Sequence, residues 1–181
     1  MHIRKATAED AWGITKVHIE SWKETYEGII NQGYLDSLKI EDRLRLWESS
    51  LSQIPQQSTV FVAVNSDNEI VGFVSLGKER TGKFLADGEL YAIYILIKYQ
   101  RGKLGLKLLQ AGVDRLIEQS FTSMLVWVLE ENNSRKFYES LQPIKAGVEV
   151  DKIAGEDHVE LAYMWDDLQA LNQMVKAKLS L

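Results

Sequence analysis

The stretch from Glu89 to Leu109 holds the residues best suited to chemistry. It is apolar from Leu90 to Ile97, becomes basic and glycine-bearing from Lys98 to Gly105, and then takes up a helical pattern. The first backbone N–H groups of a helix have no partner within it, and the helix dipole adds about half a positive charge there. Such a turn suits an anion, a phosphate above all. Gly102 and Gly105 let the backbone approach a bulky group, and Arg101, Lys103 and Lys107 add positive charge nearby. The nucleotide P-loop pattern G-x-x-x-x-G-K-[ST] is absent. Taken alone, the turn fits either an anion site or a solvated basic loop ahead of a surface helix.

Composition removes other chemistries. The chain has no cysteine, so disulfides, zinc–thiolate sites and a thiol nucleophile are excluded. His18 and Ser21 form no hydrolase signature, because G-x-S-x-G does not occur. His158 and Glu160 are too sparse to suggest a metal site, so no metal is expected. A net charge of -5 lacks the basic field that general nucleic-acid binding needs. Hydrophobic residues at 45% and charged residues at 26% describe a globular chain rather than a disordered one. Met1 to Lys5 lead straight into Thr7 and Glu9 with no apolar leader, and no apolar run approaches the roughly 20 residues of a spanning helix. A cytoplasmic protein without membrane or nucleic-acid partners is the expectation.

Stepping outward along the chain, His2 to Lys5 predict a short first strand. Thr7 caps a helix with Asp10 as capping-box partner, and Ala11, Ile14, Val17 and Ile19 follow one helical face. Asn31 to Gly33 break that pattern, and Glu41 to Ser52 predict a second helix with Leu44, Leu46, Trp47 and Leu51. Strands are expected over Thr59–Val64 and Glu69–Leu76, joined by a turn at Asn65–Asn68. Gly77–Asp87 predicts a loop, Glu89–Ile97 a central strand covered on both faces, and Gly102–Ser120 a helix burying Leu104, Leu108, Ala111 and Leu116. Phe121–Leu129 is a further strand and Asn132–Leu141 a short helix. Closing strands follow over Ile144–Ile153 and His158–Met164, with a turn at Gly155–Asp157. Residues 166–181 predict a last helix with the stripe Leu168, Leu171, Val175, Leu179. The two prolines, Pro55 and Pro143, fall at expected breaks. The fold class is α/β or α+β, one domain over residues 1–181.

The turn resembles the acetyl-CoA motif of the GCN5-related N-acetyltransferase (GNAT) family, Q/R-x-x-G-x-G/A. Gln100 and Gly105 match its ends, and Lys103 stands where the first glycine is usual. Val128 to Leu141 resembles the family's V-L-x-x-N-x-x-R-x-F-Y-E-x-L-G, with Gln142-Pro143 in place of the glycine-rich end. Ile3 to Ala11, His18 to Gly28 and Glu160 to Leu168 also resemble family segments, in the expected order. The resemblance implies a GNAT domain over 1–181 with a mixed, mostly antiparallel sheet of six or seven strands, the fourth and fifth splayed apart.

It further implies acetyl-CoA as cosubstrate. Ile93 and Ile95 would pair with the pantetheine arm, the amides of Arg101, Gly102, Lys103, Leu104, Gly105 and Leu106, next to Gln100, would hold the pyrophosphate, and Asn132 would contact the cosubstrate. An amine of a small molecule or protein would attack the thioester directly. Tyr138 stands at the family's general-acid position, and its ordinary pKa of about 10 leaves it protonated at neutral pH. Glu89 is the candidate base. Trp22 and Tyr26, one helical turn apart, lie where the family shapes its acceptor site, though core packing explains them equally. Lys103 and Gln142-Pro143 leave a second reading open, an acyl-CoA-binding sensor with weak or lost catalysis. The stripe of the last helix allows a homodimer, or packing on the chain's own sheet.

Overall fold

The computed structural model describes residues 1–53 and 58–181, so the expected break at Pro55 lies outside the described residues. The chain runs β1 (His2–Lys5), α1 (Ala11–Tyr26), α2 (Gln32–Ser37), α3 (Ile40–Ser52), β2 (Ser58–Val64), β3 (Ile70–Lys78), β4 (Gly88–Ile95), α4 (Leu104–Glu118), β5 (Met124–Leu129), α5 (Arg135–Glu139), β6 (Ile144–Ile153), β7 (Glu156–Trp165) and α6 (Leu168–Ser180). The strands form a seven-stranded sheet in the order β1-β2-β3-β4-β5-β7-β6. Every pairing is antiparallel except β4 with β5. The mixed fold with an antiparallel majority agrees with the sequence reading.

Alternation along the strands divides the apolar residues between two faces. Val74, Leu76, Leu90, Val126, Val128 and Leu161 meet Leu108, Val113 and Leu116 of α4 and Leu171 and Val175 of α6. On the other face Val60, Val62, Val64 and Phe73 pack against Ile14 and Val17 of α1 and Trp47 and Leu51 of α3. A third cluster, Ile30, Leu35 and Leu129, joins the end of α1 and α2 to β5. Fully burying a leucine contributes about 2 kcal/mol, so these clusters fix both layers. Gly112 marks where α4 presses closest to the sheet: a Cβ there would lie 2.1 Å from Leu76 Cδ2.

Several boundaries differ from expectation. The break at Asn31–Gly33 is instead the start of α2, because the Asn31 side chain accepts the Tyr34 N–H and caps a helix. Thr7 and Asp10 do form the expected reciprocal pair, but over a 3₁₀ turn, Ala8–Asp10, that runs into α1. Asp10 also takes two donors from Arg4, at 2.7 and 2.8 Å. Leu46 is exposed, and on α4 Leu109, Gly112 and Val113 are buried where Ala111 is only half-buried. The helix expected over Asn132–Leu141 shrinks to Arg135–Glu139, because Asn132 closes a turn: its Oδ1 accepts the Ser134 N–H at 2.8 Å. The last hairpin turns at Ala154 and Gly155, both at positive φ, earlier than expected. Among the described residues no helix is long and apolar enough to cross a membrane.

Candidate active site

β4 carries the feature that opens the site. Its pairing with β3 slips between Ser75, opposite Ala92, and Leu76, opposite Leu90, leaving Tyr91 as an extra, bulged residue. Leu90 faces α4. Without the bulge Ala92 and Tyr94 would follow it to that side. With it, Ile93 and Ile95 pack toward α4, and Ala92 and Tyr94 turn toward α1. β4 pairs with β5 only from Gly88 to Leu90, opposite Met124 to Val126. Beyond Leu90 the strands part, and a cleft of about 420 Å³ lies between them.

The floor of the cleft includes Ile93 and Ile95 on one strand and Val126, Trp127 and Val128 on the other. One end closes on the turn before α4, through Gln100, Arg101, Lys103, Leu104, Gly105 and Leu106. Among the described residues no acceptor is found for the backbone N–H groups of Arg101 to Leu106; the first helical donor that is used is Lys107, to Lys103 O at 3.1 Å. Gln100 departs from that set. Its own N–H is bound to Ile97 O, and its side chain donates to Ile95 O at 2.9 Å, tying the turn to the end of β4. Arg101 and Lys103 both adopt left-handed backbone, φ 63° and 60°. Lys103 thus takes the conformation a glycine would take at lower cost, a difference of about 1 kcal/mol. Its side chain leaves the turn and donates to Leu179 O at the end of α6, 3.4 Å away.

Aromatic side chains line the cleft as well. Tyr138, on α5, is 7% exposed and lines the cleft. Its ring meets Phe137 edge-on at 5.4 Å. Burial, with Tyr26 adding to it, pushes its pKa well above the ordinary tyrosine value, so it is a proton-bearing group. Tyr26, at the end of α1, lines the cleft and shares a 3.3 Å hydroxyl contact with Tyr94. Burial also raises both of those pKa values. His18 stacks on Tyr94 at 5.1 Å and accepts from Trp47 Nε1 at 3.1 Å, and burial lowers its pKa to about 3. It is therefore neutral, with its proton on Nε2. Trp22 stands behind Tyr26, rings 4.8 Å apart, and supports the cleft without lining it; its buried Nε1 faces Tyr94 without a well-aligned bond. Asn132 is 5% exposed and lines the cleft near the Tyr26 side chain.

Glu89 is the residue the structure does not bring to the cleft. The strands are still paired at that point, and its 1%-exposed carboxylate is engaged by Arg80: the backbone N–H and Nε at 3.1 Å each, and Nη2 in an ion pair. Residues that the sequence reading missed include Tyr94, Trp127 and Phe137. The signal for Tyr94 was a polar-tipped residue in an otherwise apolar run, and the bulge that aims it has no sequence mark.

The description "Acetyltransferase (GNAT) family" belongs to the family model that matches residues 18–142. The chain belongs to this family. It is thereby an acetyl-CoA-dependent N-acetyltransferase by class. It is 38% identical over 173 residues to the uncharacterized N-acetyltransferase YuaI of Bacillus subtilis, covering 96% of this chain and 97% of that one. It is 27% identical over 165 residues to a spermidine N(1)-acetyltransferase of Thermoplasma acidophilum, covering 88% and 94%. The GNAT fold recurs in the PaiA N-acetyltransferase of Thermoplasma acidophilum in complex with coenzyme A, with TM-score 0.68, 24% identity and coverage of 91% and 98%. It recurs again in a ribosomal-protein-alanine N-acetyltransferase of Brucella melitensis, with TM-score 0.71, 20% identity and coverage of 92% and 99%.

Proposed function

We propose that this GNAT enzyme moves an acetyl group from acetyl-CoA to a primary amine by direct attack. The observation that carries this reading is the meeting, in one cleft, of free amides at the start of α4 with a largely buried tyrosine, Tyr138. The amides of Arg101 to Leu106 would hold the diphosphate of the cosubstrate, and the helix dipole favours the same charge. Ile93 and Ile95, on an edge without a β5 partner, would pair with an extended arm as an added strand does. The relatives crystallised with coenzyme A or acetyl-CoA agree with such a ligand.

The amine nitrogen would form a bond to the thioester carbon as the carbon–sulfur bond breaks, with the electron pair leaving on sulfur. Tyr138 would donate to the sulfur as charge develops there, and the nitrogen's proton would pass to solvent. Because burial keeps Tyr138 protonated, it serves as donor and not as base. With Glu89 held by Arg80, the base role passes to water, which reaches the amine along the open cleft.

The test is release of free thiol from acetyl-CoA in the presence of a panel of primary amines, next to calorimetry with coenzyme A. Micromolar binding, about -8 kcal/mol, with amine-dependent thiol release is expected. Binding without release for any amine would favour the sensor reading; absence of binding would defeat both.

A further inference from the structure

Three residues stand in a row across the last strands. Trp127 of β5 is opposite Ala162 of β7, and Ala162 is opposite Gly147 of β6. A large side chain is thus followed by the two smallest, and the sheet surface falls into a trough beside the indole. Val126 and Val128 pack toward α4, so Trp127 lies on the other face, the one to which the bulge turns Tyr94.

Phe84, from the connection between β3 and β4, fills the trough. Its ring meets Trp127 edge-on at 5.6 Å, and a Cβ on Gly147 would lie 3.0 Å from its Cζ. Aromatic pairs favour this edge-on arrangement. The connection is pinned at several points. The Glu79 N–H donates to Asp87 O at its base, and Asp87 accepts from the Thr122 N–H and hydroxyl at 2.7 Å each. Lys83 pairs with Glu149 on β6 at 2.6 Å. Arg80 clasps Glu89, and its guanidinium lies 4.2 Å from the ring centre of Tyr91, a residue of the cleft wall. The neighbouring Leu85 is 99% exposed, so the inward turn belongs to Phe84 alone of the two.

Trp127 lines the cleft, and among the described residues Phe84 does not. The indole therefore stands between Phe84 and the cleft. Without the phenyl ring, the trough over Ala162 and Gly147 is room into which the indole can turn.

We infer that Phe84 is a positioning residue for acceptor selection: it holds Trp127 as a wall of the cleft and so limits how far an acceptor extends past its reacting amine on that side. A bulky apolar far end would require the indole to move aside, and Phe84 occupies the space it would move into. Lys83 and Arg80 serve the same end by fixing the connection that carries Phe84.

This rests on the transfer reading, and the test separates the two. Thiol release from acetyl-CoA is measured with propylamine and with 4-phenylbutylamine, and calorimetry follows both amines into protein saturated with coenzyme A. The native protein is expected to prefer propylamine. Phe84→Ala is expected to raise the kcat/KM ratio of 4-phenylbutylamine to propylamine by about tenfold, the scale on which apolar pockets discriminate size. Gly147→Val in the Phe84→Ala background refills the trough from β6, and is expected to bring the ratio back within about threefold of native. Leu85→Ala, next to Phe84 on the same connection, is expected to leave the ratio as it is. Coenzyme A affinity should stay the same throughout. Equal use of the two amines by the native protein, or a ratio unchanged in Phe84→Ala, would overturn the inference and leave acetyl transfer standing. Equal loss of turnover with both amines would make Phe84 an anchor of its connection and overturn the inference too. A shift of the two binding affinities in Phe84→Ala, with no thiol release from either amine, would defeat transfer and leave the wall standing. Neither binding nor release with either amine would end the inference.

Discussion

Where the cleft meets α4, its wall is backbone: the N–H groups of Arg101 to Leu106, left without acceptors by the geometry of a helix start. Where it meets α1, its wall is side chains, Tyr26, Tyr94, Trp127 and Tyr138, drawn from four different elements. A backbone wall survives most substitutions, because every residue but proline brings the same N–H. A side-chain wall changes with each residue. The first suits a ligand that never varies and the second a partner that can differ from one relative to the next.

Four substitutions test this contrast. Tyr138→Phe is expected to lower kcat about a hundredfold and leave coenzyme A affinity within about twofold, as loss of a proton donor does. Equal loss in both would make the residue a packing element. The neutral His18 gives the next effect. Its folded pKa of about 3 lies below the unfolded value of 6.5, so its contribution to stability is full above pH 6.5 and is lost as pH falls from there toward 3. At pH 5.5 this amounts to about 1.4 kcal/mol, or tenfold in the folding equilibrium. Denaturation of His18→Asn, which can still accept from Trp47, is expected to lack that part of the acid sensitivity.

Tyr26→Phe removes the contact to Tyr94 and is expected to cost about 1 kcal/mol, roughly fivefold in kcat/KM for the amine. Coenzyme A affinity, read by calorimetry, should not follow. Lys103→Gly is the smallest. It relieves a left-handed residue but gives more freedom to the unfolded chain, and it loses an exposed bond to Leu179 O. Coenzyme A affinity is expected to change about twofold, in line with an exposed charge. A tenfold loss would mean that the side chain, and not the amides, does the binding.

The same division explains what the sequence could tell. The form of the α4 turn was legible because its free amides follow from local order: an apolar strand, a glycine-bearing basic turn and a helix, all within Glu89 to Leu109. Tyr138 and Asn132 were legible through one contiguous resemblance. Glu89 was misplaced, since nothing local signals that Arg80, nine residues earlier, will claim its carboxylate. Tyr94 and Trp127 were missed because their aim depends on a bulge and on a register with β7 set far away in sequence. The helix α2 was missed for a smaller reason: Asn31 and Gly33 are turn formers by type, and the cap that Asn31 makes for Tyr34 turns that preference to a different end.

The extra residue at Tyr91 has one more consequence. It sets the parity of β4, so side chains beyond it can be exchanged freely, yet losing or gaining one residue between Leu90 and Ile95 would swap the occupants of the two sheet faces at a stroke. Relatives that evolve new acceptors by way of this strand must therefore do so by point replacement, and insertions or deletions should be confined to the connections outside it.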